Sequence, residues 1–374
     1  MNELIAVGLP GGKRFVDEIR RAWGDDDAIM PIDHRLSWQD QLSLVERFAA
    51  STFIDSKGNR HKMSYGKPVE PGDALVMPTS GTTGLAKAAV LTHDALAASA
   101  KLSSDALQVT DTDHWLACLP LSHIGGFSVV ARALITGTEL TVESHFDPAL
   151  VAKHASNGAT LVSLVTAAMM QIDTSLFKKI LLGGGPAPDD RPDNAVVTYG
   201  MTETGSGVVY DDFALPSVHL RVDRTNRLWV HSPTLLRAYR NIDESPLDEN
   251  GWFCTNDEAH LAYDGRLTIL GRADFVILTG GEKVWPETLE ATINQHPAIS
   301  ECLAYGKPDR EWGQVVSVDV VLERGSSLPS LDEMREFVKE LLPRRYAPRL
   351  VKAVSALPKT SSGKLKRQKP ALEH

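Results

Sequence analysis

Residues 79–87 read Thr-Ser-Gly-Thr-Thr-Gly-Leu-Ala-Lys. Gly81 and Gly84 let the backbone approach a ligand closely, consecutive N–H groups can ring an anion, and Ser80, Thr82, Thr83 and Lys87 add donors. Phosphate is the natural occupant. The run is not a Walker A loop, which needs Gly directly before the Lys and Ser or Thr directly after it; this chain has Ala86 and Ala88 there. A flexible Ser/Gly turn is the plainer alternative. A second cluster, Tyr199-Gly200-Met201-Thr202-Glu203-Thr204, offers an aromatic face, a glycine, hydroxyls and a carboxylate. Such a set can stack a base, touch a phosphate and hold magnesium bound mainly through nucleotide phosphates. It can also be an ordinary strand-end turn. Arg272, inside Gly271-Arg272-Ala273-Asp274, can fork onto phosphate or ribose oxygens, or be the solvated Arg of a hairpin; Gly280-Gly281-Glu282-Lys283-Val284 follows it. Near the end, Pro358-Lys359-Thr360-Ser361-Ser362-Gly363-Lys364 can deliver a lysine to an anionic centre, or simply solvate the terminus.

The elements around these stretches alternate. Phe15, Ile19 and Ala22 fall at helical spacing across 14–23. Residues 74–77 read as a short buried strand feeding the 79–87 loop, and 95–107 as a helix capped by Thr92 or Asp94. Strands are expected at 115–119, 160–165, 179–182 and 196–199, with a helix at 129–135. Strands that end in Gly/Ser/Thr loops and alternate with helices describe an α/β domain with ligands at the strand C-termini. Residues 218–270 are short and strand-rich, whereas 287–294 and 331–342 read as helices around a strand at 315–322. The last hundred residues or so are enough for a separate domain.

The chain has 374 residues, with 39 Lys plus Arg against 48 Asp plus Glu and a net charge of −9. That balance argues against a nucleic-acid partner. Cys118, Cys254 and Cys302 are scattered, which fits a reducing compartment rather than a disulfide or zinc framework. The N-terminus shows no signal peptide, and 116–137 is broken by His123, Gly125, Gly126 and Arg132, so no membrane span is expected. The expected location is cytoplasmic. Leu372-Glu373-His374 look like the start of a histidine tag.

In this order, the stretches together resemble the adenylate-forming superfamily: acyl-CoA synthetases, peptide-synthetase adenylation domains and luciferases. On that resemblance the phosphate loop is 80–87 (Ser80, Gly81, Thr82, Thr83, Gly84, Lys87), the adenine-side turn is Gly183, Gly184 and Gly185, and the Tyr-Gly-Met-Thr-Glu signature stands unaltered at 199–203. The ribose-binding acid is Asp257, the hinge runs from Arg272 to Asp274, and the C-terminal catalytic lysine is Lys364. The likeness covers the chain from about residue 70 to 370. It departs at Asn256, where Gly is usual but Asn tolerates the same backbone angles, and at Ala88 and Ala89, where a Gly commonly follows the lysine.

The resemblance implies an α/β fold in two parts. Residues 1–273 would form a large N-terminal ATP- and acyl-binding domain of stacked α/β sheets with a small β-rich subdomain, and 274–371 a small mobile α+β domain. It implies ATP, magnesium and coenzyme A as partners of a carboxylic acid that is first adenylated, then made a thioester. Glu203 would position the metal, Thr202 contact the α-phosphate, Tyr199 stack on adenine, and Asp257 with Arg272 hold the ribose. Lys364 would bridge the carboxylate and α-phosphate oxygens. A rotation about Asp274 would then withdraw Lys364 and bring up Gly281 and Lys283 for the second step.

Among superfamily members the chain is short, and with 23–36 and 199–211 it resembles the actinobacterial type of o-succinylbenzoate–CoA ligase of menaquinone biosynthesis. That acid carries a second carboxylate, for which Arg132 is the candidate cation, with Ser128 and Thr166 as neutral donors. Phe127, Gly126, Val165 and Met169 would form an apolar floor, and His123 a wall or gate. The alternatives are a ligase for another aryl or medium-chain fatty acid, a carrier-protein acceptor in place of coenzyme A, and a non-catalytic nucleotide-binding homologue. A homodimer is left open.

Overall fold

Apolar runs that end in Gly, Ser or Thr become strands whose C-terminal ends carry the loops of interest. The computed structural model describes residues 2–79, 86–185, 187–188, 190–359, 365 and 367. The chain divides into two compact units. One comprises Met1–Leu220, Val230–Cys254 and Asp264–Arg266, the other Arg221–Trp229, Thr255–Tyr263 and Leu267–His374. The part expected from Asp274 onward falls inside the second unit, which also takes in 221–229, 255–263 and 267–273.

The chain starts with β1 (Leu4–Val7), α1 (Lys13–Gly24), β2 (Ala28–Pro31), α2 (Trp38–Arg47), β3 (Thr52–Ile54), β4 (Arg60–Lys62), β5 (Asp73–Thr79) and β6 (Lys87–Thr92). β1 and β2 pair in parallel and are buried along their whole length, as strands covered on both faces must be. After α3 (His93–Leu107) come β7 (His114–Ala117), α4 (Ile124–Thr136), β8 (Glu139–Val142), α5 (Pro148–Ser156), β9 (Leu161–Leu164), α6 (Thr166–Met169), β10 (Lys179–Leu182), β11 (Ala195–Met201), β12 (Ser206–Tyr210) and β13 (Phe213–Ala214). These strands form a sheet of order β13-β12-β11-β10-β9-β7-β8, in which β8, β7, β9, β10 and β11 run parallel. Their C-terminal ends share one edge, the place where open α/β sheets take ligands. β14 (His219–Val222) and β15 (Arg227–His231) follow, and then β16 (Ala238–Tyr239) completes the first sheet, of order β16-β6-β5-β2-β1-β3-β4.

β17 (Phe253–Leu261) and β18 (Leu267–Arg272) pair antiparallel from Asp257↔Arg272 to Leu261↔Leu267, in a four-stranded sheet with β14 and β15. The remainder is α+β: β19 (Ile277–Thr279), β20 (Glu282–Val284), α7 (Pro286–Ile293), β21 (Ile299–Asp309), β22 (Gly313–Leu322), α8 (Leu331–Leu341) and β23 (Leu350–Ala353). Its core gathers Ile277, Val284, Leu289, Val316, Val318 and Val338. Among the described residues no helix is long and apolar enough to cross a membrane.

Several elements go beyond expectation, and two of them bear on the site. α4 begins at Ile124 rather than 129. Gly125 and Gly126 lower helix propensity and mask its first turn, yet the packing requires Gly126, because a Cβ there would stand 2.4 Å from the Pro120 carbonyl oxygen. β6 was not expected at all. Its Ala88 and Ala89 are fully buried, and it pairs antiparallel with β5, closing the phosphate-loop segment at Thr79↔Lys87.

Candidate active site

β11 carries the Tyr199–Glu203 signature to the ligand edge. Its register against β12 shifts between Tyr199 and Gly200. A Cβ on Gly200 would lie 2.2 Å from the Ser206 carbonyl oxygen and 2.6 Å from Gly207 Cα, so only glycine lets the two strands approach. The turn itself is locked from inside. Buried Thr204 accepts from Met201 N at 2.9 Å and donates to Ser206 O at 2.7 Å, while Gly205 takes φ +68°. Gly200→Ala should therefore cost about 1–3 kcal/mol by forcing the strands apart and weaken ATP binding. Urea denaturation run alongside an ATP titration measures both.

Thr202 and Glu203 sit in the short 3₁₀ turn that follows β11. The Glu203 carboxylate accepts a hydrogen bond from Tyr239 Oη at 2.9 Å. Across the same phenol ring, Lys87 Nζ lies 4.8 Å from the centroid. Lys87, the last residue of the expected phosphate loop, and the signature carboxylate are thus gathered on one tyrosine that sequence reasoning passed over. Its only local signal is an aromatic between Arg237 and Arg240. Ser80, Gly81, Thr82, Thr83 and Gly84 lie outside the described residues.

Gly183, Gly184 and Gly185, expected to be the adenine-side turn, follow β10. Gly184 takes φ +85°, a Cβ on it would meet Val165 Cγ1 at 3.5 Å, and one on Gly183 would meet Thr198 Oγ1 at 2.9 Å. The structure therefore brings the glycine turn, the end of β9 and β11 together. Tyr199, on β11, and Thr166, at the start of α6, are half-buried. His123 occupies the N-cap of α4, and its carbonyl accepts from Phe127 N at 2.9 Å. Phe127 is fully buried with its ring against Trp23, and Met169 belongs to the core beneath the sheet. Ser128 is buried too.

Arg132 is buried to 2% exposure. Nε donates to Ser103 Oγ at 2.5 Å and Nη2 to Ser206 Oγ at 3.3 Å, while the guanidinium lies 4.9 Å from the Trp115 ring centroid. Nη1 has no hydrogen-bond partner among the described residues. Burial pulls its pKa below the usual arginine value, with the Tyr210 phenol acting weakly the other way.

In the second unit, buried Asp257 accepts from Arg272 Nη1 at 3.3 Å, and the same nitrogen donates to Thr255 O at 3.1 Å. Asp274 Oδ2 accepts from Asn256 Nδ2 at 2.7 Å and from Arg272 Nη2 at 3.4 Å. Asp257, Arg272, Asn256 and Asp274 thus form one network. Asn256 holds φ +66°, the left-handed conformation in which Asn substitutes for Gly. Gly281 also has positive φ, +82°. Lys283 Nζ binds Glu258 at 2.8 and 3.0 Å, and Glu258 is nearly inaccessible. Any role of Lys283 toward a ligand requires that pair to open. Lys364 lies outside the described residues; on either side of its segment Lys359 bridges Leu365, and Arg367 pairs with buried Glu290.

Among the described residues no three His, Cys, Asp or Glu side chains gather into a metal cage. One carboxylate beside a phosphate-loop segment instead suits magnesium carried mainly by nucleotide phosphates, and Glu203 with Thr202 is the set that fits it.

Comparison with known proteins shows the family and the fold. The profile described as AMP-binding enzyme matches residues 20–239, and that described as AMP-binding enzyme C-terminal domain matches 288–364. The chain is 38% identical over 335 residues to a probable 2-succinylbenzoate–CoA ligase of Mycobacterium tuberculosis, covering 82% of this chain and 85% of that one. Its fold superposes with a TM-score of 0.86 and 25% identity on o-succinylbenzoate CoA synthetase from Bacillus subtilis in complex with its acyl-adenylate intermediate, over 99% of this chain and 89% of that one. The same Bacillus subtilis synthetase in complex with ATP and magnesium gives a TM-score of 0.87 at 25% identity, over 97% and 88%. The chain belongs to the AMP-binding enzyme family.

Proposed function

We propose that this chain is an AMP-forming acid–thiol ligase that converts o-succinylbenzoate to its coenzyme A thioester in the cytoplasm. The observation that carries the chemistry is the gathering of Glu203 and Lys87 on Tyr239 at the end of β11. The substrate is supported by relatives named for it, one of them matched over 85% of its length. Three free cysteines fit a reducing compartment.

In the first step a carboxylate oxygen bonds to the α-phosphorus of ATP and the bond to pyrophosphate breaks. The difficulty is bringing anions together, so the chain's part is preorganised positive charge and donors. Donors of 80–84 and Lys87 hold the outer phosphates, Thr202 contacts the α-phosphate, and Lys364 bridges the reacting oxygens. Magnesium, when bound, neutralises phosphate charge. Tyr199 and the 183–185 turn flank the adenine, and Asp257 accepts from the ribose hydroxyls with Arg272 holding its carboxylate in place. In the second step the thiol of coenzyme A, losing its proton to solvent, attacks the acyl carbon and AMP leaves. Asp274 is the hinge for the change between steps, and Gly281 and Lys283 serve the second. Arg132, with Ser128 and Thr166, receives the second carboxylate of the acid, and His123 and Phe127 close the acyl side.

Mass spectrometry of a reaction holding ATP, magnesium, coenzyme A and o-succinylbenzoate, beside a panel of aryl and fatty acids, tests this. The expected product is the o-succinylbenzoyl thioester, well ahead of the panel, with AMP in equal amount. A thioester formed only from other acids overturns the substrate, and no AMP from any acid overturns the reaction.

A further inference from the structure

We propose that Tyr239 is a positioning residue for both ends of the phosphate site: its hydroxyl fixes the metal-side carboxylate of Glu203, and its ring face seats the ammonium of Lys87. The inference rests on the reading of Glu203 as the residue that meets the nucleotide-borne metal. Tyr239 belongs to β16, a strand of two residues at the edge of the first sheet, paired Tyr239↔Ala89 with β6. So short a strand has little hold of its own. Its flanks supply it. On one side Arg237 makes a two-pronged contact with buried Asp73 of β5, at 2.8 Å for both prongs. On the other, Arg240 donates to the carbonyls of Phe48, Pro68 and Lys67 at 3.2, 2.8 and 2.7 Å, and Asn241 donates to Arg47 O at 3.0 Å. Leu236 N also reaches Glu203 O at 2.8 Å, tying the approach to β16 directly onto the signature turn. The result is a clamped tyrosine whose two recognition groups, hydroxyl and π face, meet pieces of the site carried by two different sheets.

A carboxylate that must meet a metal already held by phosphates gains most when its own orientation is fixed in advance, and removing such an outer partner typically costs about 10- to 100-fold in metal affinity. A lysine ammonium over an aromatic face keeps a favourable position without a carboxylate that would compete with phosphate for it. The two functions separate by substitution. Tyr239→Phe removes the hydroxyl and keeps the ring, whereas Tyr239→Leu removes both.

The test is equilibrium ATP binding to the full-length chain, followed by calorimetry with and without magnesium, with thermal melting to confirm that each variant is folded. Tyr239→Phe is expected to raise the magnesium concentration needed for half-maximal enhancement of ATP binding about tenfold, with metal-free ATP affinity unchanged. Tyr239→Leu is expected to weaken metal-free ATP binding as well. Glu203→Gln is run beside them, and combining it with Tyr239→Phe should add nothing further to the magnesium requirement. An unshifted magnesium requirement in Tyr239→Phe overturns the positioning role. If Glu203→Gln shifts it and Tyr239→Phe does not, only this proposal fails. If Glu203→Gln leaves it unshifted as well, the assignment of Glu203 to the metal fails, and this proposal with it.

Discussion

Replacing Lys364 with alanine is expected to slow acyl-adenylate formation about 10²- to 10³-fold while leaving thioester formation from a supplied acyl-adenylate near its normal rate. The first half-reaction builds negative charge where a carboxylate closes on a phosphate, and a single cation placed between the two is worth most at that point. The second half-reaction attacks a neutral acyl carbon and expels AMP, so a cation bridging the first pair of oxygens contributes little there. The described residues that flank Lys364 in sequence have fixed partners. Leu365, its neighbour, bridges Lys359, Lys359 pairs with Glu301 at 2.6 Å, and Arg367 is locked to Glu290. Losing the lysine therefore removes a charge and leaves these flanking contacts in place. Pyrophosphate release measures the first step, and single-turnover thiolysis of supplied acyl-adenylate the second. An equal fall in both would mean that one arrangement of groups serves both steps, against a hinge at Asp274. Lys364→Arg is not expected to restore the rate, because a planar fork does not replace a point charge at a bridging position.

How much of this was legible beforehand depends on whether the cause is local. Thr92 accepts from Ala95 N at 3.1 Å and caps α3, as a hydroxyl before a helical pattern should. Asn256 takes the left-handed angle expected of the residue that replaces a glycine. The signature at 199–203 does end a strand at the ligand edge. What stayed hidden is non-local. Tyr239 lies thirty-six positions beyond Glu203 in sequence and meets it only because β16 joins β6 across the first sheet. Glu258, which occupies Lys283, sits on β17 with nothing in its own neighbourhood to announce a partner twenty-five residues on. Composition misled at β6, where two alanines weaken the strand signal, and at α4, where the glycines that allow its close approach to 119–120 conceal its first turn. Gly126 shows the conflict: helix propensity argues against it, and the contact with Pro120 O decides for it.

Arg132→Ala is expected to lower kcat/KM for o-succinylbenzoate by about 2–5 kcal/mol, or roughly 30- to several-thousand-fold, and to lower it far less for an aryl acid lacking the second carboxylate. The reason lies in what surrounds the guanidinium. α4 carries it among Val129, Val130, Ala131 and Ala133, all buried, and its bonded partners among the described residues are two serine hydroxyls rather than a carboxylate. A buried charge without a counter-ion costs several kcal/mol, and burial already depresses its pKa. An anion arriving from the substrate offsets that cost, and Nη1 is the nitrogen with a bond to give. The ratio of kcat/KM for the two acids is the measurement, since a general loss of packing lowers both alike. Arg132→Met sharpens the distinction. An apolar side chain of similar volume relieves the buried charge, and such replacements are commonly neutral or stabilising by about 1–4 kcal/mol. The methionine variant should therefore melt no lower than the parent while losing its preference for the diacid. An arginine kept only for structure predicts the reverse: a lower melting temperature with the preference intact.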